Sequence, residues 1–156
     1  MLDIQKFKEK DIDAVYEIQQ AAYKPLFEKY QDTESNPYME SKERVLQKYT
    51  RVGTQGYVFW KDGEAVGAVR INLYPEYKSG RVSALCVHPE WQGQGIAQQA
   101  LIQIEQIHSE VVKWFLDTIL QEKGNCHLYE KIGYQQTGKT EKINENMTLV
   151  FYEKKM

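Results

Sequence analysis

Hydrophobic and polar positions change period several times along the first half of the chain. Residues 2–7 alternate apolar and polar side chains and predict a strand. Apolar residues then recur at helical spacing over 11–23 and over 41–49, which predicts two helices. Pro25 is expected to disturb the first of these helices near its end.

The second half of the chain carries most of the strand patterns. We expect strands at 57–60, 65–73, 81–87, 111–119, 134–143 and 147–152, and helices at 96–107 and 125–132. Asp62-Gly63 is a hairpin turn signal, and Gly133 suits the end of the last helix. The strand at 111–119 is apolar enough to be buried on both faces.

The order of these elements predicts the fold class. A strand, two helices, three strands, a helix, a strand, a helix and two strands predict an α/β (α+β mixed) protein. Its central sheet is mixed and mostly antiparallel, with helices on both faces. Each of the two helical crossovers predicts local parallel pairing of strands.

Composition and charge set broad limits on function. The 156 residues are expected to form one domain, 1–156, since 42% are hydrophobic and 27% are charged. With 20 basic and 22 acidic residues, nothing favours nucleic acid, and no segment resembles a signal peptide or membrane helix, so we expect a cytoplasmic protein. Cys86 and Cys126 are expected to be free thiols, and no metal-ligand spacing appears.

The main chemical signal is the glycine-bearing turn between the strand at 81–87 and the helix at 96–107. Gly93 and Gly95 leave backbone N–H groups open to a ligand, and the helix start adds partial positive charge. Together they predict a site for phosphate oxygens. A Walker loop lacks its Gly-Lys-Ser/Thr ending, and Gln98 stands where a dinucleotide fingerprint needs glycine or alanine. The glycines could also serve a tight strand-to-helix connection alone.

Residues 92–97, Gln-Gly-Gln-Gly-Ile-Ala, resemble the Gln/Arg-x-x-Gly-x-Gly/Ala pattern of GNAT N-acetyltransferases. The resemblance spans 65–134 well, and it implies a GNAT-like fold that binds acetyl-CoA. The turn amides would hold the coenzyme pyrophosphate, and the preceding strand would hold the pantetheine arm. The coenzyme-binding residues implied in this way are Leu85, Cys86, Val87, Gln92, Gly93, Gln94, Gly95, Ile96, Ala97, Asn125 and Tyr129.

A second motif, Tyr-Glu-Lys-Ile-Gly-Tyr at 129–134, is similar to the second signature of the same family. The resemblance implies that Tyr129 is the general acid. A phenol with a pKa of about 10 is protonated at neutral pH and can donate to a departing thiolate, whose thiol has a pKa of about 8.5. The alternative is a short amphipathic helix in which Tyr129 is half-packed and Gly133 is the cap.

The base that deprotonates the acceptor amine is less well defined. Some family members carry a glutamate twelve positions before the tyrosine, and Asp117 occupies that position here. Its apolar flanks would favour proton uptake near neutral pH. The alternatives are a structural Asp117 paired with Lys or Arg, and a water relay. Glu122, in the following loop, is the next residue to consider.

The acceptor pocket of such proteins usually forms from the first two helices and nearby strands. Carboxylates beside aromatic rings in that region would suit a cationic amine, although a solvated polar loop is the other interpretation. A polyamine, an aminoglycoside-like drug, a peptide N-terminus and a lysine side chain all remain open. The side chains in question are Glu28, Asp32, Glu34 and Glu40, near Tyr23, Tyr30 and Tyr38.

The resemblance therefore predicts an acetyl-CoA-dependent N-acetyltransferase that acts by direct transfer, without a metal. Its expected partners are acetyl-CoA and an unidentified amine, with no nucleic acid and no membrane, and a homodimer is possible. The alternative is a non-catalytic acyl-CoA sensor or a GNAT-like interaction module.

Overall fold

The computed structural model describes residues 2–156 and contains the predicted order of elements. The strands are β1 Asp3–Lys6, β2 Thr54–Lys61, β3 Glu64–Tyr74, β4 Ser79–Val87, β5 Lys113–Ile119, β6 Gln135–Asn144 and β7 Met147–Lys155. The helices are α1 Ile12–Tyr30, α2 Lys42–Tyr49, α3 Ile96–Ile107 and α4 Lys123–Lys131. Within residues 2–156, no helix is both long and apolar enough to cross a bilayer.

The seven strands form one mixed sheet in the order β1-β2-β3-β4-β5-β7-β6. Every neighbouring pair is antiparallel except β4 and β5, which run parallel and are joined through α3. The β2–β3 hairpin turns at Asp62 and Gly63, which have φ values of 53° and 80°. The expected fold class is therefore confirmed, including the mostly antiparallel pairing.

Parallel pairing at the second crossover was a wrong prediction. The strand that pairs with β5 is β7, and it is antiparallel, while β6 lies outside it at the sheet edge. The reason is the difference in polarity between these strands. β7 carries Val150 and Tyr152 into the core, whereas β6 is almost entirely exposed. The apolar strand takes the interior position, and the polar strand becomes the edge.

The two faces of the sheet carry separate cores. Val58 and Ala68 are paired across β2 and β3, and both pack beneath α1 and α2. Tyr57 and Val69, the next pair along, point to the other face and join the core covered by α3 and α4. Successive residues of a strand alternate between faces, so both faces are apolar and both need helices.

Helix α1 does not end near Pro25, contrary to the sequence prediction, and continues for five residues to Tyr30. An internal proline costs a helix about 3 kcal/mol, so this extension needs compensation. Tyr30 is 4% exposed and its hydroxyl donates a hydrogen bond to Glu122, which anchors the last turn. Gln31 then closes the helix in the left-handed region with φ 52°.

Strand β5 is not buried on both faces. Trp114 and Leu116 are buried, while Lys113, Phe115 and Asp117 are only half-buried. The second face borders open space beside β4, so the strand keeps an alternating pattern. The sequence prediction missed this because β5 is short and carries aromatic residues on both faces.

Candidate active site

A large opening separates β4 from β5 beyond their first residues. The two strands pair only where Ser79 to Arg81 of β4 meets Lys113 to Phe115 of β5. Beyond this point β4 continues to Val87 with no ladder partner on that side. A cavity of about 1080 Å³ lies at this opening. Its walls come from β4, the turn before α3, α4, α1 and the loop that follows α1.

A bulge in β4 contributes to this opening. The β3–β4 register shifts between Ala68 and Arg70, and Ala84 has a φ of 50°, a value that alanine rarely adopts. An extra residue in one strand bends that strand and increases its local twist. In this protein the bulge lies next to Leu85, Cys86 and Val87, the segment that the sequence predicted for the pantetheine arm.

We call the end of the cavity beside α3 and α4 the coenzyme half. Here the turn has the backbone that its glycines predicted, with φ values of 80° at Gly93 and 77° at Gly95. Among the residues that the structure describes, a Cβ atom added at Gly93 would meet nothing within 4 Å, and one at Gly95 would meet only the Gln99 side chain at 3.8 Å. The space in front of both residues is therefore open to a ligand.

The start of α3 adds partial positive charge beside this open space. Gly95 is the N-cap and provides no side chain to cap the first N–H groups, and the first turn contains no acidic residue. These N–H groups carry the partial positive charge of the helix end. Gln92 closes the turn, because its amide donates a 2.9 Å hydrogen bond to the Val87 carbonyl.

The other side of the coenzyme half is formed by α4. Asn125, His127, Tyr129 and Lys131 line the cavity. The Tyr129 ring packs against Tyr134 and Tyr152, with centroid distances of 6.1 and 6.3 Å. Burial raises the pKa of the Tyr129 phenol, and the charge of Asp117 adds to the shift. The phenol is therefore a hydrogen-bond donor at neutral pH.

Asp117 lies on β5 at the opening, where it forms an ion pair with Arg81 of β4. Both side chains are about one-third exposed, at 29% and 33%. The surroundings of Asp117 are therefore less apolar than its flanking residues suggested. The pair joins Arg81, in the last ladder pair of the two strands, to Asp117, two residues further along β5, where the opening begins.

Glu122 lies between β5 and α4, and it also lines the cavity. Its carboxylate accepts hydrogen bonds from Lys29, at 2.7 Å, and from the Tyr30 hydroxyl. Burial would raise the pKa of Glu122, but these two hydrogen bonds outweigh burial and lower it. This carboxylate therefore anchors the end of α1.

We call the end of the cavity beside α1 and α2 the acceptor half. It is lined by Tyr23, Asp32, Asn36, Glu40, Lys48 and Arg70. The Tyr23 hydroxyl donates a 2.8 Å hydrogen bond to the Leu85 carbonyl, which joins α1 to the bulged strand.

Two of the four predicted acidic residues line the acceptor half and two do not. Asp32 is 2% exposed and accepts hydrogen bonds from Glu34 and Ser35 within its own loop. Glu40 forms an ion pair with Lys48. Glu28 and the Glu34 side chain are exposed and lie outside the cavity lining.

The remaining histidine and cysteine residues have identifiable contacts. His88 accepts a hydrogen bond from the Glu90 backbone, and His108 lies 2.7 Å from the Tyr57 hydroxyl. Burial raises the pKa of the Cys86 thiol to about 12, so it is protonated. No group of three or more His, Cys, Asp or Glu side chains within residues 2–156 is arranged to hold a metal ion.

The structure thus brings nearly all of the predicted site residues together. Leu85, Cys86, Val87, Gln92, Gly93, Gly95, Ile96, Ala97, Asp117, Asn125 and Tyr129 line one cavity. Gln94 is absent from this lining, and its side chain accepts a 3.2 Å hydrogen bond from Lys61.

Sequence reasoning missed several charged residues at the cavity or its border. Lys61 reaches the turn from the end of β2 and lies 5.8 Å from the Trp91 ring. Lys48 and Arg70 line the cavity itself. No motif contains Lys61 or Arg70, because contacts between distant strands place them.

Comparison with known proteins agrees with the fold and the motifs. The model of the Acetyltransferase (GNAT) family matches residues 12–134. This match covers both signature motifs and most of the chain. A search of curated proteins found no significant match.

Solved structures of N-acetyltransferases share the fold at low sequence identity. One is the PaiA N-acetyltransferase from Thermoplasma acidophilum in complex with coenzyme A, with 16% identity, TM-score 0.78, and coverage of 100% of this chain and 99% of that chain. Another is the ribosomal-protein-S18-alanine N-acetyltransferase from Escherichia coli, with 14% identity, TM-score 0.79, and coverage of 99% and 94%. The spermidine N-acetyltransferase from Vibrio cholerae, in complex with coenzyme A and spermine, has 18% identity, TM-score 0.78, and coverage of 97% and 94%.

Proposed function

The chain belongs to the GNAT acetyltransferase family, and we propose that it transfers the acetyl group of acetyl-CoA directly to a primary amine. One observation carries the proposal. The open glycine turn at the start of α3 and the Tyr129 ring line the same cavity, at the opening between β4 and β5. A phosphate site and a phenol on one cavity fit a ligand with a pyrophosphate at one end and a thioester at the other.

The coenzyme would be held mainly by the backbone. The first N–H groups of α3 and the turn residues Gly93 and Gly95 face open space, which suits the pyrophosphate oxygens. Residues 85–87 of β4 have no ladder partner toward β5, so this edge of the strand is open to an extended pantetheine arm. The Leu85 and Val87 carbonyls already accept hydrogen bonds from Tyr23 and Gln92, so the arm would bind mainly to backbone N–H groups at this edge. The arm would take the place of a missing strand.

Tyr129 would act on the leaving group. In the transfer, the amine nitrogen forms a bond to the acetyl carbon, and the bond from that carbon to sulfur breaks with its electron pair on sulfur. The Tyr129 hydroxyl would stabilise the thiolate and supply its proton. Burial keeps the pKa of Tyr129 above that of an ordinary phenol, so the donor form is present throughout the neutral range.

The acceptor ammonium must also lose a proton. We propose Asp117 as the group that receives it, since this carboxylate lines the same cavity as Tyr129. The ion pair with Arg81 competes for the carboxylate oxygens, so transfer through water is expected. Asn125, exposed in the first turn of α4, would hold the pantetheine region near Tyr129.

The direct test is an acetyl-transfer assay that detects the released thiol with a thiol reagent. The amine panel would include spermidine and an alanine-terminated peptide, because structurally similar N-acetyltransferases act on spermidine and on a ribosomal protein alanine. We expect amine-dependent thiol release that is lost in Gly95→Glu. Tight coenzyme binding without transfer to any primary amine would instead support the acyl-CoA sensor.

A further inference from the structure

The charges of the acceptor half are almost all paired within the protein. Glu40 forms an ion pair with Lys48, whose side chain is 24% exposed. The Asp32 carboxylate is hydrogen-bonded within its own loop, where it accepts from two backbone N–H groups and from the Ser35 hydroxyl. The acidic residues that the sequence suggested for a cationic acceptor are therefore engaged or outside the cavity.

The neighbouring charged groups at the opening are paired as well. Asp117 is bound to Arg81, and Glu122 is bound to Lys29 and Tyr30. Each carboxylate that lines the cavity thus has a cation or several donors. A polycationic acceptor would have to displace these partners, at the cost of leaving Lys48 or Arg81 unpaired.

Arg70 is the exception to this pairing of charges in the acceptor half. It is half-buried on β3 and lines the acceptor half. Among residues 2–156 its guanidinium forms no ion pair and no hydrogen bond within the usual distances, and its contact is with the face of the Tyr49 ring, whose centroid lies 5.9 Å away. Five N–H donors in a partly desolvated position are therefore left for a ligand.

The groups around Arg70 do not supply a counter-charge. Burial raises the pKa values of Tyr23, Tyr49 and Cys86, and the positive charge of Arg70 only partly opposes this effect. All three side chains are neutral at physiological pH. Glu40 is nearby but is neutralised by Lys48, so Glu40, Lys48 and Arg70 together carry a net charge of +1.

The position of Arg70 in the sheet places it beside the reaction site. Arg70 is the register partner of Ser83 on β4, two residues beyond Arg81, where β4 has already separated from β5. Ser83 also lines the cavity. An acceptor whose amine enters the opening would thus have its other end beside the guanidinium.

We propose that Arg70 binds a carboxylate of the acceptor, and that the acceptor is therefore a free amino acid or a similar small amine that also carries a carboxylate. The planar guanidinium fork matches a carboxylate with two parallel hydrogen bonds, which makes Arg70 a specificity-determining residue. This inference rests on the proposed acetyl transfer. It predicts discrimination against polyamines and against amines without an anionic group.

The test uses pairs of acceptors that differ in charge alone. Each free amino acid is compared with its own carboxamide at saturating acetyl-CoA, and kcat and KM are measured separately. The proteins are the wild type, Arg70→Met, which keeps the stem, and Arg70→Lys, which keeps the charge without the fork. Arg44→Met is the matched control, because Arg44 is exposed on α2 and does not line the cavity.

We expect the wild type to prefer the best amino acid over its carboxamide by about 10- to 100-fold in kcat/KM, the usual scale for a hydrogen-bonded charge. Arg70→Met should remove this preference through a higher KM for the acid, with the carboxamide unaffected. Arg70→Lys should retain part of the preference for the amino acid, and Arg44→Met should retain all of it. Coenzyme affinity should be the same in all four proteins.

The experiment distinguishes failure of the carboxylate proposal from failure of the proposed acetyl transfer. If the wild type acetylates carboxamides or polyamines as well as amino acids, the carboxylate proposal is overturned while acetyl transfer stands. If no amine is acetylated, transfer itself fails, and calorimetric titration of the same acids and carboxamides into the coenzyme A-bound protein tests Arg70 directly. Binding of the acid that Arg70→Met abolishes supports the proposal, and equal or absent binding of the two compounds overturns it.

Discussion

The two halves of the cavity are built in different ways. The coenzyme half comes mainly from two short segments, the one from β4 to the start of α3 and the one that forms α4. Open backbone positions at Gly93 and Gly95 dominate it. The acceptor half takes its side chains from α1, the loop after α1, α2 and β3, and contacts between these segments, such as the Glu40–Lys48 ion pair, arrange them.

This difference separates coenzyme binding, a function common to the family, from the choice of acceptor amine, which differs between its members. In the proposed function, the backbone site would recognise the pyrophosphate and the extended arm of the coenzyme. A side-chain site recognises whatever complements its charges, and single substitutions can change it. Substitutions at the glycine turn should therefore act on binding of coenzyme, and substitutions at Tyr129 or Asp117 on rate. Substitutions in the acceptor half should act on choice of amine.

The largest effect is expected for Gly95→Glu. The new side chain would enter the open space before α3, and its charge would repel phosphate. We expect coenzyme affinity to fall by at least about 100-fold, as measured by calorimetry, since both steric and electrostatic terms oppose binding.

The matched control for that variant is Gly63→Glu. Gly63 also has positive φ, at 80°, and no atom lies within 4 Å of a Cβ placed there, but it belongs to the β2–β3 hairpin. It reproduces the backbone strain and the added charge away from the cavity. If both variants lose coenzyme affinity equally, or if Gly95→Glu binds normally, the pyrophosphate does not lie at this turn.

The second effect in size is expected for Tyr129→Phe. Loss of the proposed donor should lower kcat by about 100-fold while the coenzyme dissociation constant stays unchanged. Tyr134→Phe is the control, because its buried hydroxyl has no hydrogen-bond partner among residues 2–156 and its ring lies 6.1 Å from that of Tyr129. Unaltered turnover in Tyr129→Phe, or an equal loss in the control, would remove Tyr129 from the chemistry.

The pH dependence provides an additional measurement on Tyr129. Burial raises its pKa above the ordinary phenol value of about 10, so deprotonation begins only in strongly alkaline solution. The wild-type rate should therefore show no decline from this group between about pH 7 and pH 9. A decline in that range that disappears in Tyr129→Phe would contradict the assignment.

A smaller loss is expected for Asp117→Asn. If Asp117 receives the acceptor proton, kcat/KM at neutral pH should fall by about 10-fold or more in this variant. Arg81→Gln breaks the same ion pair but retains the carboxylate, so it should keep most of the activity. A folded Asp117→Asn with the wild-type rate would mean that water carries the proton.

The smallest effect is expected for Glu122→Gln, and it concerns stability. The pKa of Glu122 is lowered in the folded state, so its contribution is present above the unfolded pKa and is lost as pH falls through the folded value. The variant should melt about 2–4 °C below the wild type at pH 7, and the gap should close below about pH 4.5.

Glu141→Gln is the control for that variant, because Glu141 is exposed on β6 and is not in an ion pair within residues 2–156. It should leave the melting temperature unchanged at both pH values. If the difference in melting temperature between Glu122→Gln and wild type grows toward low pH, the end of α1 is not held by the ionised Glu122 carboxylate.

Local patterns predicted the order of elements, the fold class and most of the coenzyme half. They succeed there because a strand, a turn with positive φ at Gly93 and Gly95, and a helix start are consecutive in the chain. The second motif is similar, since α4 presents Asn125 and Tyr129 on one surface. A site formed by residues that are neighbours in the chain can be predicted from the spacing of those residues.

The course of α1 past Pro25 and the position of β7 were decided by tertiary contacts. The proline penalty is local, but the Tyr30 hydroxyl bond to Glu122 joins residues that are 92 positions apart. Likewise, whether β6 or β7 lies beside β5 depends on which strand is the more apolar when both compete for one place. Propensity alone predicts neither outcome.

The sequence alone therefore determined that this chain has a glycine turn at a helix start and a motif tyrosine, because backbone geometry and helix ends follow from adjacent residues. It could not show which acidic residues were free to bind an amine, since the three-dimensional course of the loops, helices and strands decides which charges pair. Only the tertiary structure showed that Asp32, Glu40 and Asp117 are engaged and that Arg70 is not. Recognition of a charged acceptor depends on which charged side chains of the cavity remain without a partner in the folded protein.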